Sequence, residues 1–313
     1  MSQPINLFRS ILLKLASTLI FAGMQALIRI SAHKFPLGEV VFFRGWAAII
    51  PVLVVYAWRR ELSGALRMAQ PLGHVTRGTI SAAAMYLNFA SLALLPLIDA
   101  VAIGFTAPLI TVALAVIFLK EDVRFYRWAA VGVGFIGVMV MLIPHIDVAQ
   151  VGHGALSAVG AVGAICGLLG AFGNAGTVIQ TRRMTFTEST SAIVFYFSLF
   201  AALGGLVTLP FGGWLWPDSL DLVALVMMGV LGGLGHILLT ESYRYAPASV
   251  SAPFDYASMI WALLIGFFIF GEIPHVLVLL GAVIVAGAGL FVIWRERQLG
   301  LQPSRNEAPP ALP

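Results

Sequence analysis

The sequence predicts an all-α integral membrane protein with ten transmembrane helices, and three observations support that fold class. Charged residues make up 10% of the 313 residues, against about 25% in a typical soluble domain. Hydrophobic residues reach 60% and the mean hydropathy is +0.96, more than a water-exposed surface tolerates. The apolar residues fall into ten runs, each close to the roughly 20 residues with which a helix crosses a bilayer. A lipid bilayer is therefore the expected surrounding, and a soluble catalytic domain is excluded.

The ten runs follow one another with mostly short connections between them. In chain order they cover about 8–31, 40–58, 74–94, 97–119, 125–143, 153–181, 189–211, 220–244, 248–270 and 275–294. The first run contains Lys14 and Arg29 and is followed by no small-residue cleavage site, so we expect a retained helix and not a signal peptide. The tail 298–313 is rich in proline and is expected to be disordered.

The basic residues indicate the orientation of the chain in the membrane. The net charge of +4 and the sequence pI of about 9.5 are typical of nucleic-acid-binding proteins, but here the basic residues lie between the apolar runs, so no nucleic-acid partner is expected. With a cytoplasmic N-terminus, every Lys and Arg except Arg29, Lys34 and Arg44 falls on the cytoplasmic side. The positive-inside rule thus predicts that both termini are cytoplasmic.

The two halves of the chain form an internal repeat. An offset of 151 residues aligns, without a gap, Gly78 with Gly229, Leu87 with Leu238, Ser91 with Ser242, Pro96 with Pro247 and Glu121 with Glu272. Each half supplies five spans, and an odd number forces the two copies to enter the membrane in opposite senses. The predicted organisation is a first five-helix repeat at 1–150, a second, inverted one at 151–297, and a cytoplasmic tail at 298–313. Secondary transporters use this architecture for alternating access.

Two segments carry a resemblance to a known family. Residues 88–137 combine a small-residue and proline lead into the fourth helix, a proline inside it, a Leu-x-Glu ending and a glycine-rich fifth helix, and residues 240–289 repeat the pattern. Arg44 in FFRGW matches the family's arginine in the second helix. Over almost its whole length the chain resembles the EamA family of the drug/metabolite transporter superfamily. This resemblance implies a cavity between the halves and a small-molecule substrate, most often an amino acid exported across the bacterial inner membrane.

Polar and aromatic residues at mid-depth are the candidates for the substrate cavity. Gln25 and Asn174 stand out because the first and sixth helices are repeat mates and an offset of 149 superposes these two amides, each with a donor and an acceptor. For each candidate, plain packing is an equal alternative. The full set of substrate-binding candidates is Gln25, Tyr86, Asn88, Thr106, Asn174, His236, Asp255, Tyr256 and Trp261.

Among these, Asp255 and His236 lead, since an ionisable group inside the hydrocarbon is costly unless it is paired or hydrated. A fixed interhelical hydrogen bond is the alternative for both. The other charged residues are expected to be structural: Lys14 snorkels to the interface, Arg44 pairs with Asp99, Glu241 pairs with Arg244, and Glu121 and Glu272 cap the helices that follow them.

Prolines and glycines suggest how the helices bend and pack. Pro108 and Pro253 are the candidate gating residues, because a proline inside a helix removes a backbone hydrogen bond and kinks the axis; a structural kink alone is the alternative. Glycines recur every three or four positions along the sixth helix, which predicts close approach of a neighbouring helix. They are Gly160, Gly163, Gly167, Gly170, Gly173 and Gly176.

An intramembrane enzyme is the competing class of function. His236 with Asp255 is the only deep acid–base pair, and the sequence contains no HExxH, GxSxG or Walker A motif. With Cys166 as the single cysteine, neither a metal site nor a cofactor is expected. We therefore predict a transporter, as a monomer or homodimer. Amino acid export is the first expectation, and uptake or exchange of a nucleoside-derived or cofactor-like metabolite is the alternative.

Overall fold

The computed structural model describes residues 6–31, 34–58, 67–94, 103–143, 158–211, 213–271 and 275–299. All regular secondary structure within these ranges is helical. The helices are α1 (Leu7–Ser31), α2 (Leu37–Trp58), α3 (Pro71–Leu94), α4 (Ala107–Leu119), α5 (Phe125–Leu142), α6 (Ala158–Met184), α7 (Thr190–Leu206), α8 (Ser219–Tyr245), a three-part α9 and α10 (Val276–Gln298). The parts of α9 are a short α-helix Ala248–Ser251, a 3₁₀ segment Ala252–Tyr256 and an α-helix Ala257–Phe270.

The helices confirm the all-helical prediction, and most ends agree with the predicted spans within a few residues. Seven helices in the described part of the chain are long and apolar enough to cross a membrane, while α4 and α5 are apolar but shorter. Helix α3 is long but carries His74 and Arg77. The predicted repeat boundary at 150/151 lies outside the described residues, as does the tail beyond residue 299.

Helix pairing is consistent with a twofold relation between the halves. The most extensive contacts join α1 to α8, α3 to α6, α2 to α7 and α5 to α10. In the predicted repeat, α1 and α6 are mates, as are α3 and α8. The α1–α8 and α3–α6 contacts are then the same contact in two copies. The other two pairs, α2–α7 and α5–α10, each join a helix to its own mate, which is the arrangement expected where a twofold axis passes between the two helices.

Glycines bring several helix pairs into close approach. A Cβ on Gly173 would lie 2.8 Å from the Cβ of Ala84 on α3, so only glycine fits there. A Cβ on Gly45 would lie 2.4 Å from the backbone nitrogen of Ala202, which shows the same closeness between α2 and α7. The predicted tight packing of α6 is confirmed.

The fourth helix of each half is interrupted at a matching position. In the first half a turn at Phe105 and Thr106 precedes α4, and in the second half the 3₁₀ segment of α9 ends at Tyr256, which the 151-residue offset places on Phe105. Pro108 lies in the first turn of α4. The prediction that it kinks the middle of a helix is wrong, because a first-turn proline removes no intrahelical bond. Pro253 lies inside the 3₁₀ segment.

Candidate substrate site

Gln25 is exposed on a helix face that is otherwise buried. Lys14, Thr18, Ala22 and Gln25 follow one another at helical spacing along one stripe of α1. The first three are buried, and Gln25 is exposed. Gln25 is therefore accessible on the side of α1 that packs against other helices.

Asn174 repeats this arrangement on α6. It continues a stripe formed by Gly163, Gly167 and Gly170, which are all buried, yet Asn174 itself is exposed. The other exposed side chains of α6 nearby are apolar and lie on the opposite face, as Ile165 does. Asn174 is therefore also accessible on the packed side of its helix, as Gln25 is.

Asp255 pairs with Lys14, about two turns inside the end of the bundle where α1 begins and α10 finishes; we call that end the terminal end. The Lys14 Nζ lies 2.6 Å from Asp255 Oδ1 and donates to the Tyr243 hydroxyl at 3.1 Å. The side chains of Lys14 and Asp255 are 2% and 36% exposed. The prediction that Lys14 snorkels is wrong, because α9 supplies a counter-charge inside the bundle. The Asp255 carboxylate remains partly accessible.

Trp261 of α9 contacts the next residue of this α1 stripe, Thr18. Its Nε1 donates a hydrogen bond to Thr18 Oγ1 at 3.0 Å, so α9 follows α1 from Lys14 to Thr18. Beyond Thr18 the stripe opens to the interior at Gln25. One face of α1 thus runs from an ion pair, through an indole contact, to an exposed amide.

His236 is not brought to Asp255. Its ring lies between Phe21 and Phe197, with centroid distances of 4.9 and 4.6 Å. Both imidazole nitrogens are buried and have no hydrogen-bond partner among the described residues. The acid–base pair expected of an intramembrane enzyme is therefore not formed, since Asp255 is committed to Lys14.

The other sequence candidates do not join this group. Tyr256 is fully buried against Gly134 and its hydroxyl donates to the Phe105 carbonyl at 3.3 Å, so it is a core residue and not part of a cavity lining. Tyr86 is 58% exposed, on the face of α3 opposite the residues that contact α6 and α7. Asn88 packs against Gly170, and the Thr106 hydroxyl donates to the Ile103 carbonyl at 2.6 Å.

Glu121 joins the two halves at the terminal end. Its Oε1 and Oε2 accept the backbone N–H groups of Ala248 and Ser249 at 2.8 and 3.1 Å. The prediction that Glu121 caps the following helix is wrong: its carboxylate caps the start of α9 in the other half, where the first N–H groups of a helix have no acceptor within the helix. Glu272 and Asp99 lie outside the described residues. The predicted cap by Glu272 and the predicted Arg44–Asp99 pair therefore stay predictions.

More buried polar contacts surround this end. Arg127 Nε lies 2.9 Å from Glu296 Oε1, and Arg127 Nη1 donates to Ser249 Oγ at 3.2 Å. Arg77 donates to Thr181 Oγ1 at 2.8 Å and to the Ile193 carbonyl at 2.9 Å. Sequence reasoning used these arginines only for topology. The available signal was that both arginines fall on the predicted cytoplasmic side, but this does not identify their partners.

The predicted Glu241–Arg244 contact is present at 3.6 Å. Thr190 Oγ1 connects the pair, because it donates to Glu241 Oε2 and accepts from Arg244 Nε, both at 2.6 Å. The contact therefore also ties α7 to α8.

Comparison with known proteins adds three kinds of finding. The profile of the EamA-like transporter family matches residues 8–143 and again residues 161–294. A protein of known crystal structure superposes with a TM-score of 0.79 at 16% identity, covering 92% of this chain and 98% of that one. That likeness concerns the fold.

Named relatives cover both directions of transport. An S-adenosylmethionine uptake transporter of Rickettsia felis is 29% identical over 92% of each chain. A riboflavin transporter of Rhizobium johnstonii is 30% identical over 77% of this chain and 76% of its own. The pseudopaline exporter CntI of Pseudomonas aeruginosa is 27% identical over 89% of this chain and 93% of its own. None of these three names is that of an amino acid exporter.

Proposed function

The chain belongs to the EamA-like transporter family, and from that premise we propose that it carries a nucleoside-derived metabolite with a cationic or zwitterionic side chain, of the type of S-adenosylmethionine, across the bacterial inner membrane. Family and relatives identify a membrane transporter of small metabolites and not an enzyme. The substrate class is the proposal.

The observation that carries the proposal is a pair of accessible polar groups beside α1, namely the Asp255 carboxylate at one end of the buried stripe and the Gln25 amide at the other. Lys14 and Gln25 are eleven residues apart, or about 16 Å along the helix axis. A nucleoside that bears an amino acid chain extends over such a distance, whereas a free amino acid does not. The stripe also has the right chemistry at its two ends.

At one end, the exposed amides of Gln25 and Asn174 offer paired donors and acceptors. Asn and Gln side chains recognise adenine through its amino group and the neighbouring ring nitrogen. At the other end, the partly exposed Asp255 carboxylate attracts a sulfonium or ammonium group. Trp261 lies between them, and an indole face attracts a cation as well.

The interrupted helices support a site at this depth. In transporters built from inverted repeats, substrates bind near the midplane where a spanning helix is broken. Asp255 belongs to the 3₁₀ segment of α9, and the matching break precedes α4. Pro253 and Pro108 are next to these breaks, which keeps both as proposed gating positions.

Counterflow in proteoliposomes tests the substrate class, because it reads exchange in either direction. Vesicles loaded with unlabelled S-adenosylmethionine should accumulate the labelled compound, whereas vesicles loaded with riboflavin or with phenylalanine should accumulate it poorly. Protein-free vesicles give the background. Efficient counterflow of amino acids without S-adenosylmethionine would overturn the proposal and favour amino acid export, the competing candidate from the sequence resemblance.

A further inference from the structure

The ion pair between Lys14 and Asp255 has two unlike sides. Lys14 Nζ lies 2.6 Å from Asp255 Oδ1, yet the lysine side chain is 2% exposed and the aspartate side chain is 36% exposed. The ammonium therefore contacts the carboxylate from the packed side of the bundle, while the carboxylate also borders space that a ligand can reach. One carboxylate is thus available to two cations, namely Lys14 and a cation of the substrate.

Tyr243 gives Lys14 a second binding partner. This tyrosine is 1% exposed, its hydroxyl accepts a hydrogen bond from Lys14 Nζ at 3.1 Å, and its ring centroid lies 5.2 Å from the same atom. A hydroxyl oxygen and an aromatic face both stabilise an ammonium group. Because the ammonium of a lysine is carried on a flexible four-carbon stem, Lys14 can loosen from Asp255 while its contacts with Tyr243 remain.

Asp255 lies in a part of α9 where the helix type changes. It belongs to the 3₁₀ segment Ala252–Tyr256, between the two α-helical parts of α9. A 3₁₀ stretch within a helix often marks a hinge. Helix α1, by contrast, is one continuous α-helix across Lys14. The carboxylate is therefore on the more adaptable of the two helices, so its distance from the ammonium can differ between conformations of the transporter.

Charge balance at Asp255 differs between the loaded and the empty transporter. A substrate sulfonium or ammonium at the accessible side brings a second cation to one carboxylate, and two like charges repel strongly in a low-dielectric interior. In the empty transporter the substrate cation is missing. Alternating access between the two sides of the membrane passes through a state closed at both ends. In that state the accessible side of Asp255 loses its water, and an unpaired carboxylate is costly.

We propose that Lys14 takes the place of the substrate's cation at Asp255 when the transporter closes empty. It neutralises the carboxylate in the empty state that is closed at both ends, and it loosens toward Tyr243 when a sulfonium or ammonium occupies the accessible side. The empty transporter can then change its direction of opening, so net transport is possible in addition to exchange. The inference rests on the proposed function, from which it takes a cationic substrate at Asp255.

Exchange and net entry in proteoliposomes test this role, with the membrane potential held at zero. Lys14→Gln removes the charge but can still hydrogen-bond the Tyr243 hydroxyl. Labelled S-adenosylmethionine should still enter vesicles that are preloaded with the unlabelled compound, whereas entry into empty vesicles should fall. The ratio of exchange to net entry should therefore rise at least tenfold. Lys34→Gln, which removes an ion-paired but exposed lysine, is the matched control and should keep the wild-type ratio.

Apparent affinity gives a second readout, in which two variants should move in opposite directions. Lys14→Gln removes the competing cation, so half-maximal exchange should need at least threefold less S-adenosylmethionine. Tyr243→Phe keeps the ring but removes the hydroxyl that accepts from Lys14, which leaves the ammonium more firmly on Asp255, so half-maximal exchange should need at least threefold more. A loss of packing alone would move both variants in the same direction. If one variant fails to fold, the other decides.

The outcomes separate this inference from the proposed function. Exchange of S-adenosylmethionine by the wild type, with equal losses of exchange and net entry and no gain in affinity in Lys14→Gln, would overturn the role of Lys14 and leave the proposed function standing. Exchange of an amino acid but not of S-adenosylmethionine would contradict the proposed function. The same ratio, measured with that amino acid and its ammonium, would then decide the role of Lys14. Exchange confined to a compound without a cation, such as riboflavin, would overturn both.

Discussion

The two ends of the helix bundle are held by different interactions. At the terminal end, buried contacts such as Lys14–Asp255 and Arg127–Glu296 join the two halves. At the opposite end, which we call the far end, the ion pairs of Lys34 with Asp218 and Asp221 are largely exposed, and Glu39 accepts the backbone N–H of Leu215 at 3.0 Å. Exposed ion pairs contribute little, because water screens them.

The repeat does not extend to this polar network. The offset of 151 residues places Asp255, Tyr243, Arg77 and Arg127 opposite Gly104, Leu92, Met228 and Val278, and the offset of 149 places Lys14 opposite Gly163. The family profile matches both halves of the chain, whereas these five residues have no like counterpart at either offset. Among the described residues, the ion pairs that join the halves are buried at the terminal end and largely exposed at the far end, so separating the halves at the terminal end must break buried ion pairs.

The largest expected effect follows from breaking the Lys14–Asp255 pair. Asp255→Asn leaves the buried Lys14 ammonium without a counter-charge and should cost about 3 kcal/mol of stability, the low end for a buried pair because Asp255 is partly exposed. Lys14→Met should cost less, since the remaining carboxylate still contacts solvent. Substrate flux in proteoliposomes should fall at least tenfold in Asp255→Asn.

The double variant Lys14→Met/Asp255→Asn separates stability from transport. It should recover most of the unfolding free energy but not the flux. Denaturant unfolding and initial flux, measured on the same preparations, provide the comparison. Wild-type flux in the double variant would make the pair a packing element only.

A matched pair of charge deletions compares the two ends directly. Among the described residues, Arg127→Gln leaves Glu296 with the Tyr126 hydroxyl as its remaining donor, and it should destabilise the protein by about 2 kcal/mol. Lys34→Gln at the far end should have little measurable effect, since its ion pairs are exposed. Equal losses in urea midpoint for the two variants would remove the contrast between the ends.

Sequence reasoning predicted the class of the fold but not the partners of its charges. Composition and the length of the apolar runs predicted the membrane helices. The glycine spacing predicted that a neighbouring helix approaches α6 closely, but not that this helix is α3. Lys14 and Asp255, by contrast, are far apart in sequence, and the depth of a residue in the membrane does not predict which helix faces contact each other. The start of α4 at Ala107 was missed because Pro108 is compatible with either a kink or a first turn.

Glu121 should show a smaller effect. Glu121→Gln retains one acceptor oxygen for the two amides at the start of α9 but loses the charge that favours a helix N-terminus. We expect a loss of about 1 kcal/mol. Asp122→Asn, the exposed neighbour, is the control and should be neutral in the same unfolding assay. An unchanged free energy of unfolding in Glu121→Gln would mean that this cap does not stabilise the contact between the two halves.

The smallest expected effect concerns pH at the far end. A backbone hydrogen bond from Asp221 lowers the pKa of Asp218 below 3.8, and a hydrogen bond to Asp221 raises the pKa of Lys34 above 10.5. A lowered carboxyl pKa stabilises at neutral pH and loses its effect only as the pH falls through the folded value, while a raised lysine pKa loses its effect only on alkalinisation. The stability difference between wild type and Lys34→Gln should therefore stay constant from about pH 5 to 9; a change within that window would contradict this assignment.

Thiol labelling at Gln25 and Asn174 tests whether the substrate site lies around these two amides inside the bundle. In a Cys166→Ser background, Gln25→Cys and Asn174→Cys should react in proteoliposomes with a small charged methanethiosulfonate. Ile165→Cys, on the exposed apolar face of α6, should react slowly because lipid covers it. Saturating S-adenosylmethionine should slow labelling at both amide positions. Labelling of Gln25→Cys and Asn174→Cys at the rate of Ile165→Cys, with no protection by substrate, would contradict the account.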